Sequence, residues 1–279
     1  MALTEIPVEL SSTPGIADSS NATAITIDSS ENVGINDASP FAKLHVEDTS
    51  WSSGSPYGTV AYIQGGATND LNWGHLLISQ SGTTTDTGGR LSFGANGENP
   101  IAGIRAKYKG ATYGDLAFLT RPSGGTNTER MVIDSAGHVT MPNQPAFRVK
   151  PTSDQSNFAI DSWVDVAMGT EAFDVGSNFA SNTFTAPVTG KYQLNLQLRL
   201  NGIDSAANFY QARINTSNQI FYHTIDPDFG QDAAYWTFIL SIFTDMDASD
   251  TATIGIYQSL GTSQTDVSND SHFSGYLVA

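Results

Sequence analysis

The stretch FTAPVTGKYQLNLQLRL, residues 184–200, decides the fold class of this chain. From Tyr192 to Leu200, apolar side chains stand at every second position and polar side chains stand between them. Because successive side chains of a strand point to opposite faces, this alternation predicts a long strand with one buried and one solvated face. Pro187 and Gly190 precede the strand and predict the turn that leads into it.

Composition extends the β assignment to the whole chain. Of 279 residues, 39% are hydrophobic, 26 are Gly and 11 are Pro, and the short apolar runs lie between Gly and Pro positions. No long run has apolar residues at helical spacing, so we predict an all-β protein without helices. The length is sufficient for two or three domains.

Charge and cysteine content bear on function. The net charge of −16, from 12 Lys and Arg against 28 Asp and Glu, repels nucleic acid and anionic membranes and suits cation binding. The absence of Cys excludes disulfides and thiolate metal sites, so burial between subunits is the expected further source of stability. The first residues do not resemble a signal peptide, and no apolar run is long enough to span a membrane.

Changes in composition divide the chain into five predicted segments. They are an N-terminal docking segment at 1–22, a β-stem connector at 23–46, a middle β module at 47–130, a second stem connector at 131–145 and a head domain at 146–279. The first segment is polar, and it is either a flexible tail or an extended peptide that docks on a partner. In the middle module, strands are predicted at 58–65, 75–80, 90–95, 101–109 and 114–121.

The two connectors are related in sequence. IDSSENVGINDASP at 27–40 aligns with IDSAGHVTMPNQP at 133–145, and each predicts a strand, a Ser-rich turn, a short strand and a Pro. Each connector is too short to bury its own apolar residues, such as Ile25, Val33 and Ile35. Three copies packed around an axis would cover them and would pair every strand edge. An ordinary hairpin in a monomeric sandwich is the alternative.

The head domain contains ten predicted strands with turn signals between them, which is typical of a sandwich or jelly roll. The strands are predicted at 147–150, 163–167, 171–175, 182–186, 191–200, 207–215, 219–225, 235–244, 251–258 and 273–279.

Two stretches of the head resemble a known family. FDVGSNFASNTFTAPVTGKYQLNLQLRL at 173–200 and FSGYL at 273–277 are similar to the complement C-one-q globular head, a jelly roll of the tumour-necrosis-factor type. The resemblance covers about half of the chain and implies a ten-strand jelly roll that forms a homotrimer through aromatic faces near the axis, often with calcium. Residues assigned to trimer contacts or core packing are Phe173, Phe184, Tyr192, Leu194, Leu196 and Tyr276.

The remainder of the chain resembles a second class. There is no collagen-like glycine repeat, and the stalk is the β-rich part at 22–144. ALTEIPVELSSTPG at 2–15 and the two connectors look like sequences of bacteriophage virion fibres, including tail fibres. This resemblance implies a structural protein that is made in the host cytoplasm and located in the virion.

No catalytic constellation is present in the sequence. The five His residues never pair at metal-ligand spacing, and no nucleophile elbow, phosphate loop or dinucleotide fingerprint occurs. Pairs of carboxylates are numerous enough to permit a glycosidase site, but small modules leave little room for a deep cleft. We therefore expect no enzymatic activity, no catalytic residue and no required cofactor.

Strand parity predicts the place of a binding site. Successive loops of an antiparallel jelly roll alternate between two ends, so the loops at 201–206, 226–234 and 260–271 are expected at the apex and those at 187–190, 216–218 and 245–250 at the base. The apical receptor-binding candidates are Asn201, Asp204, Asp226, Asp228, Phe229, Gln231, Asp232, Asp266, Asn269 and Asp270. Crowded carboxylates favour calcium at Asp226, Asp228 and Asp232; alternatively, these residues are only turn formers.

The expected function is a homotrimeric virion fibre that uses its head for receptor recognition and attachment to the host. Its expected partners are another virion structural protein, through residues 1–22, and a glycan or protein of the host surface, without nucleic acid or membrane insertion. Three equal sites on one tip would convert weak contacts into avidity. A capsid-decorating fibre with a stabilising role and a capsule-degrading depolymerase are the alternatives.

Overall fold

The computed structural model describes residues 15–17, 23–35, 38–40, 43–46, 78, 84–95, 99–110 and 112–279. All regular secondary structure in these residues is β, in agreement with the predicted fold class. None of these residues forms a helix with the length and hydropathy needed to cross a membrane. The chain divides into two compact units, residues 1–77 and residues 78–279.

The first unit contains a four-stranded sheet in the order β1-β2-β3-β4. Its strands are β1 (Gly15–Ala17), β2 (Thr23–Ile27), β3 (Val33–Ile35) and β4 (Leu44–Val46). The pairs β1–β2 and β2–β3 are antiparallel, whereas β3 and β4 are parallel. The first predicted connector is therefore a hairpin followed by a crossover.

A single carboxylate closes the β2–β3 hairpin. Asp28 Oδ1 accepts hydrogen bonds from the backbone N–H of Ser30 at 2.8 Å and of Asn32 at 2.9 Å. Asn32 Nδ2 donates back to Asp28 Oδ2 at 3.0 Å. Glu31 takes a left-handed conformation with φ of 61°. Asp is well suited to such turns because its short side chain reaches the backbone N–H two residues later.

The second unit begins with a five-stranded antiparallel sheet in the order β5-β6-β7-β8-β9. The strands are β5 (Arg90–Ala95), β6 (Asn99–Gly110), β7 (Tyr113–Thr120), β8 (Thr128–Ile133) and β9 (Val139–Thr140). The strands predicted at 90–95, 101–109 and 114–121 correspond to β5, β6 and β7. Those predicted at 58–65 and 75–80 lie outside the described residues, apart from position 78.

The β8–β9 hairpin has the same turn as the β2–β3 hairpin. Asp134 Oδ1 accepts from the backbone N–H of Ala136 and of His138, both at 2.9 Å, and His138 Nδ1 lies 2.9 Å from Asp134 Oδ2. Gly137, with φ of 88°, stands where the first hairpin has Glu31. The sequence repeat is thus a structural repeat over the turn, from Asp28 to Asn32 and from Asp134 to His138.

The five-stranded sheet has one apolar face. Register places Leu91, Ile104, Phe118 and Met131 directly opposite one another across four strands, a set that we call the stem row. Leu91 is 45% exposed, and the other three side chains are half-buried. An apolar face that stays this open within one chain is suited to burial against another surface.

The head consists of two antiparallel sheets that pack face to face as a jelly roll. One sheet has the order β12-β10-β21-β15-β18 with β20 beside β15; the other has the order β13-β14-β19-β16-β17 with β11 beside β19. The strands are β10 (Ala146–Lys150), β11 (Val164–Asp165), β12 (Thr170–Val175), β13 (Phe179–Ala180), β14 (Thr183–Thr185), β15 (Gly190–Ile203), β16 (Phe209–Thr216), β17 (Ile220–Ile225), β18 (Ala233–Met246), β19 (Thr251–Ser259), β20 (Asp266–Val267) and β21 (His272–Leu277). All ten predicted strands are present, and the short strands β13 and β20 are additional.

Strand β15 is the centre of the head, as its alternating sequence predicts. Its apolar side chains from Tyr192 to Leu200 are at most 1% exposed and line the core. At the base of the core, Phe147 stacks on Phe184 at 4.5 Å and meets Phe273 edge to face at 5.1 Å. Such ring pairs add to the stabilisation that comes from burial of apolar area alone.

The repeated turn generates a matched stability prediction. We expect Gly137→Ala to cost about 1 kcal/mol, because a Cβ at its positive φ is strained although the space around it is open. We expect Glu31→Gly to stabilise its hairpin by about 0.5 kcal/mol, since relief of strain exceeds the added entropy of the unfolded chain. Calorimetry of the full chain measures both, with Ser30→Gly as the control. If Glu31→Gly destabilises as much as that control, the left-handed turn is not strained.

Candidate functional site

The structure brings the predicted apical loops together. Ser205, after β15, donates from its N–H and its hydroxyl to Asp232 Oδ1 of the β17–β18 loop at 2.9 and 2.8 Å. Ser263, after β19, donates its backbone N–H to Asp204 Oδ2 at 2.7 Å. At the other end, the Ala248 N–H donates to Thr189 Oγ1 at 3.1 Å, which joins two of the predicted base loops.

Asp204 anchors the apical end from inside. Its side chain is 1% exposed, and its carboxylate accepts the backbone N–H groups of Ala206, Thr262 and Ser263. Burial raises the pKa of Asp204, but these hydrogen bonds outweigh burial and hold the pKa below its ordinary value. Asp204 therefore orders the loops and is not exposed to a ligand.

A buried tyrosine supports the same loops from below. The Tyr210 hydroxyl accepts the Asp204 backbone N–H at 2.9 Å and lies 2.8 Å from Thr265 Oγ1. Burial raises the pKa of Tyr210, so the hydroxyl stays protonated and can serve as donor and acceptor at once. The apical end consequently rests on a fixed polar network.

The exposed candidates lie mainly in the β17–β18 loop. Asp226, Asp228, Phe229, Gln231 and Asp232 are all solvent-exposed in this loop. Phe229 is 41% exposed and stacks on Trp236 with ring centroids 5.4 Å apart. The loop therefore presents a supported aromatic ring among carboxylates, an arrangement that suits a partly polar ligand.

The other apical candidates are engaged in contacts within the chain. Asp266 accepts the backbone N–H of Asn157 at 2.7 Å, and Asn269 donates its backbone N–H to Asp154 at 2.7 Å. Asp270 forms an ion pair with Arg199. Asn201 is half-buried on β15, and its Oδ1 has no hydrogen-bond partner in the described part of the chain.

Calcium at Asp226, Asp228 and Asp232 stays a prediction. Within the described ranges, no three His, Asp or Glu side chains are grouped so as to hold a metal ion. Asp226 Oδ1 accepts a hydrogen bond from the Asp228 N–H at 3.1 Å.

If calcium binds at Asp226, Asp228 and Asp232, added calcium raises the melting temperature of the head, a chelator reverses the shift, and Asp228→Asn abolishes it. An unchanged melting temperature would remove the site.

The residues assigned to trimer contacts or core packing separate into two groups. Phe184, Tyr192, Leu194 and Leu196 are buried in the head core. Phe173 of β12 and Tyr276 of β21 are 49% and 48% exposed.

Sequence reasoning missed the most exposed apolar surface of the head. Tyr235, Ile239 and Phe243, which we call the edge strip, recur along β18 and are 61%, 65% and 58% exposed. The signal is in the strand sequence AAYWTFILSIFTDM, which is apolar at both parities. Such a run indicates a strand that is covered on both faces, whereas within one chain only one face of β18 lies on the core.

The strand order and the apical loops define an all-β protein with a jelly-roll head. The solved structures similar to it include the globular domain of zebrafish complement 1qA protein, with 14% identity, a TM-score of 0.37, and coverage of 49% of this chain and 98% of that one. Two crystal structures of murine APRIL, at pH 8.5 and pH 8.0, have 12% identity and a TM-score of 0.36; they cover 48% and 49% of this chain and 99% of their own. No family model and no curated protein matches the chain.

Burial of Asp204 predicts a pH-dependent effect of substitution. We expect Asp204→Asn to cost about 1–3 kcal/mol at neutral pH, because its amide group cannot accept all of the N–H groups that the carboxylate accepts. Since the folded-state pKa is below the ordinary 3.8, the contribution is full above that pH and is lost as pH falls through the folded value. Urea unfolding of both proteins between pH 7 and pH 3 measures the difference.

Asp228→Asn is the control for this substitution, since Asp228 is exposed and its side chain accepts no hydrogen bond in the described residues. A difference between Asp204→Asn and the parent that stays constant to pH 3 would contradict the assigned role of the carboxylate.

Proposed function

We propose that the chain is a homotrimeric virion fibre protein whose head attaches to a ligand on the host surface. The observation that carries the proposal is the edge strip on β18. Strand β18 pairs with β15 along one edge, and among the described residues no strand pairs with its other edge. Long edge strands with exposed apolar residues are open to pairing with other chains unless they are covered.

A second copy of the chain is the simplest cover for the edge strip. Exposed side chains of β17 extend the apolar surface, with Tyr222 at 50% and Ile220 at 40% exposure. His223 Nδ1 lies 3.1 Å from the Ile239 carbonyl, so β17 and β18 flank one another at the open side of the sandwich. Burial of each large apolar side chain would contribute about 1.5–3 kcal/mol.

The stem row supports the same assembly. Its four apolar side chains lie on one face of a sheet whose other face carries ionic groups, such as Glu129 with Arg105 at 2.5 Å and with Lys107 at 3.0 Å. Two sister chains around a shared axis would cover the apolar face in the stem and the edge strip in the head alike.

The virion assignment rests on the resemblance of the two connectors and of residues 2–15 to bacteriophage fibre sequences. In this proposal residues 1–22 dock on another virion protein, and the apical loops of three heads meet the host ligand with avidity. The role is adhesive and not enzymatic. Release of oligosaccharides from purified capsule by the protein would favour the depolymerase alternative instead. An antibody against the protein that labels the capsid of the particle, and not its tail, would favour a capsid-decorating fibre.

Charge introduced into the edge strip tests the trimer. We expect the parent protein to have the native mass of three chains, and Ile239→Glu or Phe243→Glu to yield monomers, because burying a carboxylate at each of three contacts is costly. Native mass spectrometry measures the subunit number, and circular dichroism verifies that the variants remain folded.

The matched control is Val188→Glu, at a base-loop position that is 44% exposed and lies outside the edge strip. A folded monomeric parent protein, or an Ile239→Glu variant that remains a trimer, would overturn the proposed assembly.

A further inference from the structure

The cations of the head are few, and most of them are paired. Residues 146–279 contain five Lys and Arg against fourteen Asp and Glu. Lys191 pairs with Asp245, Arg199 with Asp270, and Arg213 with Asp165 at 3.3 Å. In so acidic a domain a carboxylate partner for every cation is the electrostatic expectation.

The two remaining cations, Arg148 and Lys150, depart from this expectation. Both are exposed on β10, and neither forms an ion pair within the fully described head. Because they are two residues apart on a strand, they lie on the same face. Two like charges held this close, without a counter-ion from their own chain, favour an anion between or beside them.

Both cations line the same concave site, which we call the basic cleft. It has a volume of about 370 Å³, and its walls include Arg148, Lys150, Asn269, Asp270, Ser271 and His272. The cleft forms where β10 meets β21 and the loop before β21, and β12 closes its side. In the sheet order, β21 and β15 separate β10 from the edge strip on β18. Arg199 links the two surfaces, because it pairs with Asp270 of the cleft and lies 4.4 Å from the centre of the Tyr235 ring.

The lining chemistry selects among anions. Arg148 and Lys150 supply donors for a carboxylate, while Asn269 and Asp270 offer an amide and an acceptor for hydroxyl groups. Asp270, which also pairs with Arg199, would repel a doubly charged phosphate more strongly than a singly charged carboxylate. The volume is at the low end of the range for small-molecule sites and suits one or two sugar rings.

We propose that the basic cleft binds the carboxylate of an acidic sugar, with Arg148 and Lys150 as the anion-binding residues. The inference deepens the proposed attachment function and rests on it, because it names a ligand class that a host surface glycan would supply. It also assigns the recognition to the outer face of the β12-β10-β21-β15-β18 sheet, beside the apical loops predicted from strand parity.

His272 is a built-in reporter for the site. Burial and the nearby positive charge of Arg148 hold the pKa of His272 below its ordinary value. The charged groups around His272 are Arg148 and Lys150 from β10, Asp270 from the preceding loop, and Arg199, which pairs with Asp270. Glu171 of β12 does not line the cleft; it is in register with the core residue Val149. A bound carboxylate would favour the protonated ring, so binding raises this pKa and strengthens as pH falls.

The test is an NMR titration of the full chain with sodium glucuronate, observed at the His272 ring, with glucose and inorganic phosphate as comparison ligands. We expect saturable binding of glucuronate, an upward shift of the His272 pKa, and no response to glucose. Arg148→Gln and Lys150→Gln are each expected to weaken binding at least about tenfold, the loss associated with one charge-assisted hydrogen bond.

Lys191→Gln is the matched control, because it removes a cation that is already paired with Asp245 at the start of β15; it is expected to bind glucuronate as the parent does. The inference would be overturned if glucuronate binding did not saturate, or if the Arg148→Gln and Lys150→Gln variants bound glucuronate as tightly as the parent does. It would also be overturned if phosphate bound as tightly as glucuronate.

The result of the glucuronate titration can be distinguished from the results of the trimer and adhesion tests. A trimer that adheres to host cells although it does not bind glucuronate would remove the basic cleft and leave the attachment proposal in place. A protein that binds glucuronate through Arg148 but neither trimerises nor adheres to host cells would confirm the basic cleft and overturn the attachment proposal.

Discussion

The pairing of β15 with β21 on one side and β18 on the other is the constraint on which the head depends. It fixes which side chains of β15 face the core, and Tyr192, Leu194, Leu196, Leu198 and Leu200 are all buried as a result. It also leaves β18 at the edge of its sheet, with apolar side chains on the face that the core does not cover. The same pairing that completes the core therefore creates the exposed apolar surface on which the proposed trimer rests.

Local sequence was sufficient where a feature depends on neighbours along the chain. The alternation in β15, the turns and the division of loops between two ends all follow from side-chain period and strand parity. Features that depend on distant pairing were out of reach. Arg148 meets His272 only because β10 pairs with β21, and Asp204 is buried only because Thr262 and Ser263 close over it. No pattern near these residues distinguishes a buried carboxylate from an exposed one.

The two hairpins explain why a weak repeat in sequence gives the same backbone. The Asp side chain at the start of each turn accepts two backbone N–H groups, and the residue four positions later contacts its second oxygen. Asn32 and His138 differ in chemistry but place a nitrogen at the same point, and Glu31 and Gly137 share a positive φ. One carboxylate thus organises both turns, although the residues at the positive-φ position and at the position after it differ between them.

The same chemistry accounts for much of the acidity of the chain. Asp154, Asp161, Asp174, Asp250 and Asp266 each accept a backbone N–H from a loop of the head, as Asp204 and Asp232 do. A carboxylate that is satisfied by N–H donors is stabilised without a cation, so the crowding of Asp residues at the apex does not by itself require calcium. The informative charges are instead the scarce cations. Three of the five cations of the head are paired within the chain, and the two unpaired ones share a single cleft, which is the basis of the proposed anion site.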